Sequence, residues 1–290
     1  MAVITLTSAT GAPGVTTTAL GLALQWPRDV LLADCDRDPS QALQAGWLHG
    51  VDLGGRGLGP LASVHREQRH VGEELWLQTV SLLPTAEADA QDQPNGANPP
   101  DAKHVVERRF LPGFSHPAAS GLFLPVWQDF VDACVALGAS GTDVLIDAGR
   151  IGREGLPAAL VAGSDLLLVC VRSSLRSLAA LQLHLPTLQS QVEAIGCATR
   201  IELLVVGAGR PYVTAEVERQ FAVPVAHAVA WDPRQAAVLS DGEARTWAAR
   251  PRRGGALVRS HRAGASRLAE RVQRRSEVVA GTRSSGEWSA

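Results

Sequence analysis

Seven short apolar runs, at residues 2–7, 29–33, 77–83, 143–146, 165–171, 201–206 and 223–229, limit the fold of this chain more than any other feature. Most lack the polar/apolar alternation of a strand with one wet face. A continuous apolar run of that length, bounded by turn residues, suits a strand buried on both faces. Between the runs lie stretches with helical patterning at 16–25, 41–47, 123–137, 175–195, 214–221 and 257–274. Strands and helices in this order predict an α/β fold: a doubly wound, mostly parallel sheet with helices on both faces. In such sheets ligands bind beyond the carboxyl ends of the strands.

One segment breaks the alternation. Residues 84–104, PTAEADAQDQPNGANPPDAKH, hold almost nothing to bury and read as a flexible insertion within a single domain spanning 1–275. Residues 276–290 read as a disordered tail. At 290 residues and 46% hydrophobic content the chain can build one substantial core. No apolar run approaches the roughly 20 residues of a spanning helix, and the first residues enter a strand without a basic leader, so the expected location is the cytoplasm. Cys35, Cys134, Cys170 and Cys197 are far apart and form no CxxC pair, which predicts buried free thiols. The histidines show no ligand spacing; His65 and His70, beside Arg66 and Glu67, read as surface. Trp47 and Trp127 are expected to pack helices onto the sheet.

Residues 8–18, Ser-Ala-Thr-Gly-Ala-Pro-Gly-Val-Thr-Thr-Thr, join the first apolar run to the first helical one. A glycine-rich turn between strand and helix aims backbone N–H groups at one point, where the helix N-terminus adds positive potential. Against the phosphate-loop pattern G-x-x-x-x-G-K-[ST], Ala9 takes the first glycine position while Gly14 and Thr16 keep theirs. Val15 stands where the lysine belongs. Lys103 is the only lysine among 27 basic residues. A coding bias toward arginine would therefore have placed arginine at position 15, not valine. Pro13 contributes no N–H, which leaves the turn one donor short.

Two further runs end in carboxylates. Val30-Leu31-Leu32-Ala33-Asp34-Cys35-Asp36-Arg37-Asp38-Pro39 finishes a strand in D-x-D, and Asp143-Val144-Leu145-Ile146-Asp147-Ala148-Gly149-Arg150 finishes one in a single aspartate. A carboxylate at such a strand end commonly holds a magnesium-bound water near a nucleotide. Each run alone is weak evidence, because strands often end in aspartate at turns. The three in this order are far more specific.

Together they resemble the ParA/MinD family of P-loop ATPases, which position cellular cargo, and the resemblance covers most of residues 2–245. It implies a SIMIBI-type P-loop fold with ATP or ADP and Mg²⁺ as cofactors. The family's loop reads K-G-G-x-G-K-[ST]; Thr10 falls at its signature lysine and Val15 at the second. Gly11, Gly14, Thr16 and Thr17 match, and Ala12 replaces a glycine. The resemblance assigns nucleotide binding to Gly11, Ala12, Gly14, Val15, Thr16 and Thr17, and magnesium to Thr16 and Asp147. It makes Asp36 the residue that orients the attacking water. Leu82-Leu83-Pro84 matches an apolar-Pro segment of the family, and Gly207 falls where the family often has an asparagine for the base. It also implies a nucleotide-controlled homodimer that recruits a protein partner in chromosome partitioning, septum placement or pilus assembly. The run from Arg108 to Gly113, the tryptophan-bearing helix after it and Asp147-Ala148-Gly149-Arg150 point to the CpaE/TadZ-like pilus-assembly branch.

Without either lysine the loop is a cradle of backbone and hydroxyls, and rate suffers more than binding, since phosphoryl transfer relies on positioned charge. The first reading is thus a weakly or non-hydrolysing switch or scaffold. The alternatives are an active ATPase using a relocated arginine (Arg37, Arg150 or Arg172) and an interaction domain that binds no nucleotide. Asp36 or Asp38 could instead cap the helix that follows. Residues 245–275 carry ten arginines against Glu270 alone. They admit a solvated cap helix or sequence-independent DNA contact. The thin stripe of Leu257, Leu268 and Val272 makes membrane attachment unlikely by the bulk an interfacial helix buries.

Overall fold

The computed structural model describes residues 2–9, 14–83, 105–196, 200–243 and 254–286, with side chains as far as residue 275. Its strands are β1 (Val3–Ser8), β2 (Val30–Asp34), β3 (Val80–Ser81), β4 (Arg108–Leu111), β5 (Asp143–Arg150), β6 (Leu166–Arg172), β7 (Ile201–Val206) and β8 (Val225–Val229). They form one sheet in the order β3-β4-β2-β5-β1-β6-β7-β8. All neighbours are parallel except the β3–β4 pair at one edge. The predicted doubly wound sheet is present.

The unalternating runs have a direct cause. Within β6, Leu167 and Val169 join one buried cluster while Leu166, Leu168 and Cys170 join another. Successive side chains point to opposite faces, so a strand covered on both sides needs apolar residues at every position. The first face is covered by α3 (Leu58–Arg66), α4 (Val71–Leu75), α6 (Trp127–Ser140), α7 (Ala158–Gly163), α8 (Leu175–Ala194) and α9 (Thr214–Phe221). The second is covered by α1 (Val15–Leu24), α2 (Ala42–Ala45), α10 (Pro233–Ser240) and α11 (Ala256–Gly286). A short α5 (Pro117–Leu122) leads into α6.

Trp127 packs edge-on against Phe114, Phe123 and Phe130 with ring centroids 4.8–6.3 Å apart, in the geometry aromatic rings prefer. Trp47 is buried and its indole donates to the Leu82 carbonyl at 2.7 Å. Both tryptophans pack as expected. Cys35, Cys134 and Cys170 are free and buried, and burial pushes each thiol up; Cys197 lies outside the described residues. Among the described residues no helix is long and apolar enough to cross a membrane.

Several elements differ from the sequence reading. The run at 77–83 begins in a 3₁₀ turn (Trp76–Gln78), and only Val80–Ser81 pair as strand. β4 was not expected. Its Arg109 stacks on Trp76 at 5.3 Å and its Nε donates to Thr79 Oγ1 at 2.8 Å, so a charged residue holds this edge together. The helix α11 runs past Arg275, where the sequence reading ends the domain. The proposed insertion at 84–104 lies outside the described residues.

α11 is attached through charges the sequence did not reveal. Glu202 on β7 is 1% exposed; its Oε1 accepts from Arg275 Nη2 at 2.8 Å, and its Oε2 forms an ion pair with Arg271 Nη1 at 2.8 Å. Burial pushes Glu202 above the usual carboxylate range, and the two guanidiniums pull it back. Two histidines complete the seam. His227 on β8 pairs its Nε2 with the Ser260 carbonyl at 2.8 Å. His261 is 2% exposed and fills the space over Gly21 of α1, where any Cβ would overlap its ring. Burial, then the neighbouring His227, lowers the His261 pKa to about 4.

Candidate functional site

β1 is central, and its chain leaves Ser8 toward the glycine turn before resuming at Gly14. Gly14 has φ 94° and ψ 37°, the left-handed region that favours glycine, although a Cβ there would meet nothing. The turn therefore needs glycine for its backbone, not for space. The Gly14 carbonyl accepts from Thr18 N–H at 2.9 Å and opens α1. Of the loop positions, Thr10, Gly11, Ala12 and Pro13 lie outside the described residues. Val15 is 6% exposed and belongs to the apolar cluster under α1. Its side chain offers the loop no cation, and only its N–H remains for a ligand. Thr16 and Thr17 line the cleft.

The carboxylates converge because β2 and β5 are adjacent in register: Asp34 lies opposite Asp147. Asp147 is 2% exposed. Its Oδ1 accepts from Gly149 N–H at 3.0 Å, while Oδ2 has no hydrogen-bond partner among the described residues. Burial raises the Asp147 pKa above the carboxylate range; the Thr16 hydroxyl and the Gly149 N–H oppose that rise, and the charge of Asp36 adds to it. Asp34 is raised by burial and then by Asp147. Two neighbouring carboxylates cannot both ionise cheaply.

Asp36 lines the cleft. Its N–H donates to Asp34 Oδ1 at 3.2 Å, and its Oδ1 accepts from Asp38 N–H at 2.9 Å. Neither Asp36 nor Asp38 caps α2, whose N-cap Gln41 has no side-chain cap bond. The capping reading is thus not realised. Gly149, at φ 59°, lies so close that any Cβ would overlap the Asp36 carboxyl, so glycine is what admits this carboxylate to the cleft. Burial raises Asp36, and Arg150 and Arg37 favour its charged form.

Gly14, Thr16, Thr17, Asp36 and Gly149 line a cleft of about 500 Å³ at the carboxyl ends of the strands, where such sheets take ligands. Its far wall is Trp231, Pro233, Ala236, Leu257 and His261. Sequence reasoning missed this wall. Trp231 lies against Gly207, at the position where the family's asparagine is expected. Of the three candidate arginines, Arg37 does not line the cleft. Its Nη2 donates to the carbonyls of Ile151 at 3.1 Å and Gly155 at 2.7 Å. Arg150 and Arg172 do line it. Arg172 stacks over Trp231 at 5.0 Å.

The set fits a hydrated magnesium ion. Such an ion needs one or two protein oxygens and keeps several waters, and the Thr16 hydroxyl with the unpartnered Asp147 oxygen provides them. Among the described residues no group of three or more His, Cys, Asp or Glu could hold a metal without a ligand's help.

No family model matches the chain, and no curated protein matches it in sequence. Solved structures do match in fold. A ParA family ATPase from Chlorobium tepidum superposes with a TM-score of 0.62 at 15% identity, covering 91% of this chain and 98% of its own. The fold is that of the ParA/MinD ATPases. MinD from Pyrococcus horikoshii, complexed with Mg-ADP, matches at 0.58 and 16% identity, over 92% and 95% of the two chains. The McdA(D38A)–ATP complex from Cyanothece matches at 0.61 and 15%, over 93% and 96%. At these identities the likeness carries the ParA/MinD architecture over 91–93% of the chain, and the chemistry rests on the residues themselves.

Proposed function

We propose that this chain is a ParA/MinD-like nucleotide-binding switch or scaffold that hydrolyses ATP weakly or not at all. The observation that carries this is the Thr16–Asp147 pair: a buried carboxylate oxygen without a partner, facing a hydroxyl at the start of α1. ATP or ADP would place its phosphates over Gly14, Thr16 and Thr17, and the family resemblance adds Gly11 and Ala12 to that set. Magnesium, when bound through Thr16 and Asp147, would neutralise phosphate oxygens. Asp36, which lines the cleft, would orient water. The missing lysines favour binding over turnover, because Val15 is turned into the core and charge stabilisation is most of phosphoryl-transfer catalysis.

The same reading proposes one domain over residues 1–275, a cytoplasmic homodimer and a protein partner in a positioning system, with the pilus-assembly branch as the narrower form. DNA contact through residues 245–275 is less well supported, since Arg271 and Arg275 are engaged by Glu202. Calorimetric titration with ATP and Mg²⁺ tests the proposal. Binding that depends on Mg²⁺ and falls at least about 10-fold in Asp147→Ala is expected, a loss the size of one charged contact. Absence of binding to wild type would leave only the interaction-domain alternative. A turnover assay then separates the rest: matched, near-zero rates for wild type and Asp36→Ala support the pseudo-enzyme.

A further inference from the structure

The sheet order puts β1 between β5 and β6, and both flanking strands end in arginine. Ser8, the last residue of β1, pairs with Arg150 on one side and with Cys170, two residues before Arg172, on the other. Ser8 thus ends β1 between two strands that each finish in an arginine. Their surroundings differ. Arg172 lies over the Trp231 ring at 5.0 Å. Arg150 is exposed on the cleft rim beside Asp36, and no hydrogen bond or ion pair of its side chain is found among the described residues. The backbone beneath it is fixed: Ile151 N–H donates to the Ser8 carbonyl at 2.9 Å, and Arg37 clamps the carbonyls of Ile151 and Gly155. An unengaged cation on a fixed base is poised for a mobile anion.

Building on the nucleotide reading above, we infer that Arg150 reads the terminal phosphate of a nucleoside triphosphate in place of the absent loop lysine. Asp36 marks the end of the cleft where that phosphate would lie, because it and Arg150 line the cleft on the β2–β5 side, with Asp147 buried just behind them on β5. Arg172 belongs to the opposite side with Trp231 and meets what di- and triphosphates have in common. Without a triphosphate, Arg150 faces Asp36. With one, the guanidinium transfers to the phosphate and Asp36 is released toward water. Arg150 would thereby distinguish ATP from ADP, the distinction on which a nucleotide switch depends.

The test measures ATP and ADP affinities with Mg²⁺ for wild type, Arg150→Ala, Arg150→Lys and Arg172→Ala, with Arg153→Ala as an exposed control outside the cleft. Arg150→Ala should weaken ATP about 10-fold, one charged hydrogen bond, and ADP less than about 2-fold. Arg150→Lys should recover part of the ATP loss, and Arg172→Ala should weaken both nucleotides equally. Wild type that binds ATP while Arg150→Ala loses neither nucleotide, or both alike, overturns the role of Arg150 and leaves the nucleotide site standing. Wild type that binds neither removes the site itself and the role with it. If Arg150→Ala does not fold, Arg150→Gln, polar but uncharged and shorter, carries the same comparison.

Discussion

Arginines on the inner face of α11 and arginines on the cleft rim are the same side chain in opposite situations. Arg271 and Arg275 both reach one carboxylate, Glu202, which is 1% exposed and held on β7. Arg150 stands at the end of β5 near a carboxylate it does not bond. A basic stretch read only as a charge total would assign DNA contact to the first pair and ignore the second. The difference teaches that an arginine's availability depends on what it already holds: those on α11 secure a helix, and the one on the rim is free to meet a ligand.

The largest expected effect comes from His261, which belongs to both regions. Its folded pKa is lowered to about 4 against an ordinary 6.5, so the folded state prefers the neutral ring. Its stabilising contribution is complete above pH 6.5 and is lost as pH falls toward about 4, roughly 3 kcal/mol in all. His227, lowered in the same direction by burial, adds with the same sign. Denaturant unfolding between pH 4 and 7 should show this slope in wild type, and His261→Asn should flatten it. An unchanged slope would mean that His261 is not sealed between α11 and α1.

Next is Glu202→Ala, which leaves two guanidiniums facing β7 without a counter-charge. Breaking a fully buried pair costs about 3–5 kcal/mol. Both arginines are partly in water, so about 2 kcal/mol is expected, read as a lower denaturation midpoint. A variant as stable as wild type would place Arg271 and Arg275 in solvent and revive the DNA reading. The smallest effect belongs to Arg150→Ala, whose thermal midpoint should match wild type within about 0.5 kcal/mol, as for an exposed residue with no partner to lose. A larger drop would make Arg150 structural, erasing the contrast with α11.

What the sequence disclosed follows from what packing leaves in it. β6 and β7 were legible because a strand covered on both faces must be apolar throughout, and Leu166–Arg172 and Ile201–Val206 are nearly so. β4 was hidden because Arg108 and Arg109 occupy half of it; Trp76 and Thr79 accommodate Arg109, and the Val106 and Trp26 carbonyls accept from Arg108. α10 carries a start signal in the sequence. Asp232 followed by Pro233 is a helix start, and the Asp232 carboxylate accepts from Gln235 N–H at 3.1 Å.

The site divides similarly. Thr16, Asp36 and Asp147 could be found because they sit at fixed offsets from strand ends. The wall of Trp231, Leu257 and His261 could not. It comes from two segments, the turn after β8 and the start of α11, which only the folded sheet brings against the glycine turn's end of α1. A lone histidine on an apolar stripe carries no signal. Leu257, Ala265, Leu268 and Val272 are buried with His261 along one face of α11, so the histidine occupies what reads as a core position.

That core position has a counterpart on α1. The His261 ring occupies the place where Gly21 would otherwise carry a side chain. Among descendants of this chain, the two sites should therefore drift as one. An alanine or larger residue at 21 should persist only where 261 has shrunk, and a lineage that keeps glycine at 21 should keep an imidazole or a similar plug at 261.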